Sequence, residues 1–348
     1  MPRPGRRRPR CRPSWTRPSR GWPCRACATL LPVVLLLREA DVAALLTIDE
    51  VIDIVESGFR EYAAGRAVNR PRQRVQVEGA TLHVMAAGIP GWGVLGLKSY
   101  AVTRQGRRFF ALLYSAETGD LLAMMEADTL GRLRTGAASA VATRYLARAE
   151  AGTVGIIGTG WQARTQLEAI ARVRPVALVQ AYSRTPQRRE AFAAEMVQVL
   201  GAEVVAVDSA EEAVAGADIV VTMTTAREPV LLGRWLRPGI HVNAAGANAA
   251  DRRELDAEAV VRADRIVVDS REQAMVESGD LQVPVREGRL SWERVAELGA
   301  VVAGDAPGRQ GDQEVTLFKS LGIALEDVAL MHLVYKRAKE AGRGEEIG

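Results

Sequence analysis

Histidine and cysteine, the usual carriers of proton transfer, nucleophilic attack and metal binding, are scarce in this 348-residue chain. The three histidines, His83, His241 and His332, are scattered; two fall in strand-like runs and one in a helical run. None stands with a serine or carboxylate in a triad-like or metal-like arrangement. The three cysteines, Cys11, Cys24 and Cys27, all precede residue 30. Cys24-x-x-Cys27 with Cys11 lacks a fourth ligand at metal spacing and lacks a strand–helix context for redox work. With no cysteine in the body of the chain, a reducing, cytoplasmic location is expected. Chemistry then falls to lysine, arginine, carboxylates and amides, acting with a cofactor.

The cofactor signal is Val154-Gly155-Ile156-Ile157-Gly158-Thr159-Gly160-Trp161-Gln162-Ala163, a β-type run that breaks into glycines and opens onto a helical pattern. Gly158 permits the tight turn, Gly160 lets backbone amides reach a pyrophosphate, and Ala163 allows helix to pack on strand. Thr159, Trp161 and Gln162 complete the turn at the positive end of that helix. Strand candidates at 176–182, 203–207, 218–222 and 240–244 alternate with helical patterns, which predicts a doubly wound sheet. Thr222, Thr224 and Thr225 after the fourth strand, and 243–246 with Ala245 and Gly246 after the fifth, are expected where a nicotinamide would lie.

The residues after the second strand choose the cofactor. An NAD site places an acid there, about 20 residues past the glycines, for the ribose hydroxyls. Here Ser183-Arg184-Thr185 stands instead. A guanidinium and hydroxyls suit a 2′-phosphate, so NADP(H) is expected in preference to NAD(H), the alternative being that Arg184 is a solvated loop residue.

Upstream of the turn lie the other reactive groups. Lys98 sits inside an apolar strand candidate, as either an edge residue or a functional group of shifted basicity. Arg134 and Thr135 stand at the expected start of a small-residue helix over 137–147. That start reads either as an anion site or as a surface arginine beside an ordinary cap. Glu254 and Asp256 are expected to open the helix after strand five, rather than to serve as catalytic acids. Lys319 and Asp327 read as functional groups or as a cap and a domain-closing ion pair.

Positioning these groups takes two domains, which the length accommodates. The formal net charge of +4 does not point to nucleic acid. Residues 1–30 hold nine arginines and no acid, and without them 37 bases face 42 acids, a net of −5. No basic stripe with interleaved aromatics remains. That first segment is Pro- and Arg-rich and reads as a disordered tail. A secretory signal and an organellar presequence are considered, but a start placed too far upstream is favoured, because the apolar run to Leu37 flows into an amphipathic helix. No run is long enough to span a bilayer.

Gly96-x-Lys98, Leu133-Arg134-Thr135-Gly136-Ala137-Ala138-Ser139, the Gly-Thr-Gly-Trp-Gln-Ala turn, Val242-Asn243-Ala244-Ala245-Gly246-Ala247-Asn248 with Glu254-Leu255-Asp256, and Thr316-Leu317-Phe318-Lys319-Ser320-x-Gly322 are carried together over about 33–342. In this combination the chain resembles the ornithine cyclodeaminase/mu-crystallin family. The resemblance implies an α/β fold in which a Rossmann dinucleotide-binding domain (136–314) is inserted into an α+β substrate and dimerisation domain (33–135 and 315–348), and a homodimer. It implies that Arg72, Lys98 and Arg134 gather around an amino- or imino-acid carboxylate; Arg74, two residues on, rivals Arg72.

The chain departs from the family's cyclodeaminases at Asn248, where they carry an aspartate. An amide orients a substrate but takes no proton at neutral pH. The resemblance therefore implies an NADPH-dependent reductase of a small 2-imino or cyclic ketimine carboxylate, reversible as an amino-acid dehydrogenase. Ornithine cyclodeamination with Asp251 as substitute, a synthase-type dehydrogenase using a primary amine, and a cofactor-dependent binding protein with little turnover remain alternatives.

Overall fold

The computed structural model describes residues 33–348; the basic tail expected over 1–30, with its cysteines, lies outside the described residues. Among the described residues, sixteen strands form two eight-stranded sheets. The first sheet takes β1 (Val34–Leu37), β2 (Val68–Asn69), β3 (Gln73–Val77), β4 (Ala80–Ile89), β5 (Val94–Thr103), β6 (Gly106–Ser115) and β7 (Leu121–Glu126). The second takes β8 (Thr153–Ile157), β9 (Leu178–Tyr182), β10 (Glu203–Ala206), β11 (Ile219–Thr222), β12 (His241–Ala244), β13 (Arg265–Val268), β14 (Val295–Glu297) and β15 (Thr316–Lys319). The last strand, β16 (Glu345–Ile347), returns to the first sheet and pairs antiparallel with β1. The helices that connect and cover the sheets are α1 (Glu39–Ala44), α2 (Ile48–Ala63), α3 (Asp128–Leu146), α4 (Trp161–Ala171), α5 (Pro186–Leu200), α6 (Ala210–Val214), α7 (Ala257–Val261), α8 (Arg271–Glu277), α9 (Gly279–Arg286), α10 (Leu298–Ala303) and α11 (Ala324–Ala341).

The second sheet is parallel throughout and runs β10-β9-β8-β11-β12-β15-β13-β14. Its first six strands have the order of a dinucleotide-binding fold, with the reversal point between β8 and β11. The fold is thus α/β, with the doubly wound sheet inserted between β7 and β16 of the other. The expected boundaries shift: 135/136 falls inside α3, and 314/315 assigns to the wrong sheet a strand, β15, that pairs with both β12 and β13.

Alternation fixes the faces of the first sheet. In β5, Val94, Gly96 and Lys98 are buried, while Leu95 and Ala101 on the opposite face are exposed. Cross-strand register extends the buried row as Met85–Lys98–Ala111–Met125. β5 has a neighbour on each side, so Lys98 is not an edge residue. Gly96 admits α11 to this face. A Cβ there would lie 2.7 Å from the Leu112 carbonyl oxygen and 3.1 Å from Met331 Cε.

Helix α3 runs between the two layers and begins nine residues before the small-residue run. Its opening amides, of Asp128 and Thr129, are held by the Glu39 carboxylate at 2.6 and 3.0 Å. Arg134 and Thr135 therefore stand inside the helix, and the expected anion site on free amides at their position is absent. The small residues serve close packing instead. A Cβ on Gly136 would lie 2.5 Å from the Thr165 carbonyl oxygen of α4. Among the described residues no helix is long and apolar enough to cross a membrane.

Gly136→Ala forces these two helices apart, and overpacking of this kind costs about 1–3 kcal/mol. Urea unfolding is expected to show that loss; an unchanged midpoint would mean that α4 moves aside freely.

Candidate active site

Lys98 is 2% exposed and its Nζ donates to Asp327 Oδ1 at 2.6 Å. Arg134 Nε reaches the same oxygen at 3.0 Å, and its Nη1 donates to Glu326 Oε2 at 2.8 Å. Three elements meet here: β5 brings the lysine, α3 the arginine, and the first turn of α11 both carboxylates. Burial, and behind it the Arg134 charge, lowers the Lys98 pKa to about 8, against the opposing pull of Asp327. Burial also works against the charge of Arg134, but Asp327 and Glu326 outweigh it and hold the guanidinium above its usual range. Ahead of α11, Gly322 takes φ +71°, and a Cβ there would strike the Arg134 guanidinium. Only glycine fits both demands.

Arg72 enters the cluster from just ahead of β3. It is 5% exposed, and its Nη2 donates to the carbonyls of Leu321 and Gly322, both at 2.9 Å. Its Nη1 lies 3.3 Å from Glu277 Oε2, yet neither Nη1 nor Nε makes a hydrogen bond. Arg74 differs. Its Nη1 is 2.9 Å from Glu277 Oε1 and its Nη2 donates to the Asn248 carbonyl at 2.9 Å, so it ties α8 to the loop after β12. His83 stacks on Tyr100 at 4.3 Å between ring centroids, in the row beyond Lys98. Burial, then Arg74 and Arg72, push its pKa down to about 4, so it stands there neutral.

The cofactor crevice lies at the carboxyl ends of β8, β9 and β11. It is a cleft of ≈ 770 Å³ lined by Gly158, Thr159, Gly160, Ser183, Arg184, Thr185, Arg188 and 223–230. The turn fits a dinucleotide. Gly158 has φ +108°, and a Cβ there would run into the Met223 carbonyl. Gly160 has nothing within 4 Å above it, and α4 starts at Trp161 without a side-chain cap. Its first amides and the open glycine surface suit a diphosphate. Thr159 Oγ1 donates to Ser183 Oγ at 2.9 Å, joining the turn to the end of β9. Arg132 lies over exposed Trp161, 4.9 Å from the ring centroid.

Several expected cofactor contacts have other work. Thr135 is buried and its hydroxyl donates to the Gly131 carbonyl within α3. Thr222 is fully buried, and Ala163 packs inside the second layer. The amide of Ala245 donates to Thr222, and that of Gly246 to Glu254, so neither is free for a ligand. Glu254 is not a helix start. Fully buried, it accepts from the amides of Thr224, Gly246 and Ala247 at 2.7, 2.7 and 3.0 Å and from Thr224 Oγ1 at 2.8 Å, bracing the loops after β11 and β12. Asp256 does cap α7. Lys319 and Asp327 do not pair with each other: Lys319 reaches Asp280 at 3.0 Å and the Ala247 carbonyl at 2.5 Å.

Sequence reasoning passed over Glu277, Glu326 and Asp269. Asp269 accepts from the amides of Leu321 and Gly322 at 2.6 and 2.7 Å. The neighbours of these three acids, which include other charged or polar residues, gave no firm signal. No group of three or more His, Cys, Asp or Glu residues placed to hold a metal occurs among the described residues.

The family model described as ornithine cyclodeaminase/mu-crystallin matches residues 33–342. A Delta(1)-pyrroline-2-carboxylate reductase of Bacillus cereus is 36% identical over 324 residues, covering 90% of this chain and 99% of the relative. An alanine dehydrogenase of Archaeoglobus fulgidus is 38% identical over 324 residues, 90% of this chain and 98% of its own. Among solved structures, the Thermococcus litoralis Delta(1)-pyrroline-2-carboxylate reductase in complex with NADH and L-proline superposes with a TM-score of 0.87 at 40% identity, covering 90% of this chain and 100% of that one.

Glu254→Gln turns an amide nitrogen toward one pair of loop donors, and each buried donor left without an acceptor costs about 1–3 kcal/mol. Denaturant unfolding should reveal a loss of that size; wild-type stability would show that the loops do not lean on this carboxylate.

Proposed function

Because the chain belongs to the ornithine cyclodeaminase/mu-crystallin family, we propose that it is an NADPH-dependent oxidoreductase that reduces the C=N bond of a small 2-imino or cyclic ketimine carboxylate. In reverse it acts as an amino-acid dehydrogenase. The observation that carries this reading is the buried Lys98–Asp327–Arg134 cluster beside the unspent donors of Arg72. An imino acid needs an anion clamp and a proton source, and the cluster offers both. Arg72 and Arg134 hold the carboxylate, which turns encounter into alignment. Lys98 gives its proton to the imine nitrogen, with Asp327 fixing the direction of the ammonium. A bound nicotinamide supplies the hydride, which with that proton converts C=N to CH–NH. The names of the Bacillus and Thermococcus relatives support a five-membered cyclic substrate.

The backbone carbonyl of Asn248 accepts from Arg74, which holds its loop, and its side-chain amide carries no titratable proton. Asp251, the substitute that a cyclodeaminase would need, is exposed and lies 3.7 Å from Arg227. Nothing in the geometry of the described residues favours the cyclodeaminase, the synthase-type dehydrogenase or the binding-protein reading. NADP(H) preference is supported by Ser183, Arg184 and Thr185, with Arg188 at the same end of the cleft. A homodimer is supported by the outer face of the first sheet, where Val75, Leu82, Leu95, Phe110 and Met124 stand exposed together. A patch of this kind marks an interface.

Lys98→Met is expected to lower imine reduction by about 10²–10⁴-fold, as loss of a general acid does, while NADPH binding, followed by nicotinamide fluorescence, stays intact. Unchanged turnover would take the lysine out of the mechanism. In the wild type, reduction requires the ammonium, so its rate should fall as pH rises through about 8. Amine oxidation requires the free amine and should rise through the same range; profiles without opposite slopes would contradict the assignment. For the cofactor, Arg184→Asp should move the NADP/NAD preference toward NAD by on the order of 10- to 100-fold. An unaltered ratio of kcat/KM values would mean that the phosphate is read elsewhere.

A further inference from the structure

The clamp is part of a larger set of charges. Four cations, Arg72, Arg74, Lys98 and Arg134, face four carboxylates, Asp269, Glu277, Glu326 and Asp327. All but Arg74 are less than a tenth exposed. At formal charges the set sums to zero. A substrate carboxylate entering it adds a negative charge in a place shielded from water, which is strongly unfavourable unless it is compensated. One proton on one of the four acids provides the compensation.

The hydrogen bonds single out which acid. Asp269 is loaded with the amides of Ser270, Leu321 and Gly322. Glu277 has both arginines and Gln273. Asp327 carries Lys98 and Arg134 on one oxygen. Glu326 Oε1 and Asp327 Oδ2 are both buried without a donor, but Asp327 holds two cations on its other oxygen whereas Glu326 has a single partner, Arg134 Nη1. Its charged surroundings are Arg134 from α3, Asp269 from the loop after β13 and Asp327 on its own helix. One step farther out are Lys98 from β5 and Arg72 from ahead of β3. The nearby α2 and β2 meet the same turn through Gly58 and Asn69, which carry no charge.

We propose that Glu326 carries a proton in the substrate complex, so that the clamp becomes singly positive and matches a singly charged acid. This rests on the imino-acid reading above. Burial, with Asp269 and Asp327 adding to it against the Arg134 charge, raises the Glu326 pKa to about 8. Below that pH the proton is already in place; above it, binding must bring the proton in. Glu326 does not touch the substrate. It is a positioning residue that sets the charge met by the incoming carboxylate, and it leaves Arg134 free to turn toward that carboxylate.

The test uses the enzyme with NADP bound and pyrrole-2-carboxylate, a planar ring acid with no reducible imine. Titration calorimetry at pH 9 in two buffers of different ionisation enthalpy counts the protons taken up on binding. The wild type should take up close to one proton more than Glu326→Gln, because any uptake at Lys98 is common to both. The affinity of Glu326→Gln should also fall less between pH 7 and pH 9. Equal uptake by the two proteins would overturn the proposal while leaving the imino-acid reading standing. Absence of binding to either protein at pH 7 would remove that reading, and this proposal with it.

Discussion

The site is organised by a single carboxylate oxygen. Asp327 Oδ1 is shared by Lys98 from the first sheet and Arg134 from the helix between the layers. Without it two cations would lie side by side in a dry interior, where removing one partner of a buried pair costs about 3–5 kcal/mol. With it, like charges are held together, and burial and the Arg134 charge, against the pull of Asp327, make the lysine give up its proton more readily than a lysine in water. The packing is arranged to allow this contact. Gly96 lets α11 settle on β5, and Gly322 lets the chain turn beside the guanidinium before that helix begins. Asn69 accepts from the Leu325 amide at 3.1 Å, so that an amide of the first turn is held as well.

The dinucleotide side uses the same device with a different purpose. Glu254 is a buried carboxylate whose donors are mostly backbone amides, and it sets two loops rather than a proton. Its own backbone amide and that of Leu255 are taken by Asp280, at 2.7 and 2.9 Å, and Asp280 also faces Lys319. The crevice wall is therefore braced by the protein's own hydrogen bonds, which is the form of preorganisation that catalysis exploits. Such braces explain why amides at the carboxyl end of β12, free in a simple view of the fold, are already spent.

Features set by neighbouring residues were legible in the sequence. The glycine turn, the alternation of strands and helices, and a lysine out of place in an apolar strand are all local patterns. The start of α3 was not legible, because Glu39 caps it from 89 residues away and the run of alanines masks any amphipathic period. The carboxylates of the site were hidden for the same reason. Glu277, Glu326 and Asp269 become meaningful only when distant segments converge, and nothing in their own neighbours sets them firmly apart from surface acids. Glu254 was misread because it stands two residues before a true cap, Asp256, whose local signal covered it.

The pairing of β1 with β16 has a consequence for how the molecule is made. The doubly wound sheet is complete once Lys319 has been synthesised, and its strands lie within one continuous segment. The other sheet must wait for residues 345–347 to add its outermost strand. During translation Lys98 therefore precedes its counterion by 229 residues. A ribosome that stalls between these points would leave a finished nucleotide-binding layer joined to an open sheet, whose edge strands invite pairing with other chains. The three residues of β16 thus cover β1, which would otherwise be the outermost strand of the first sheet.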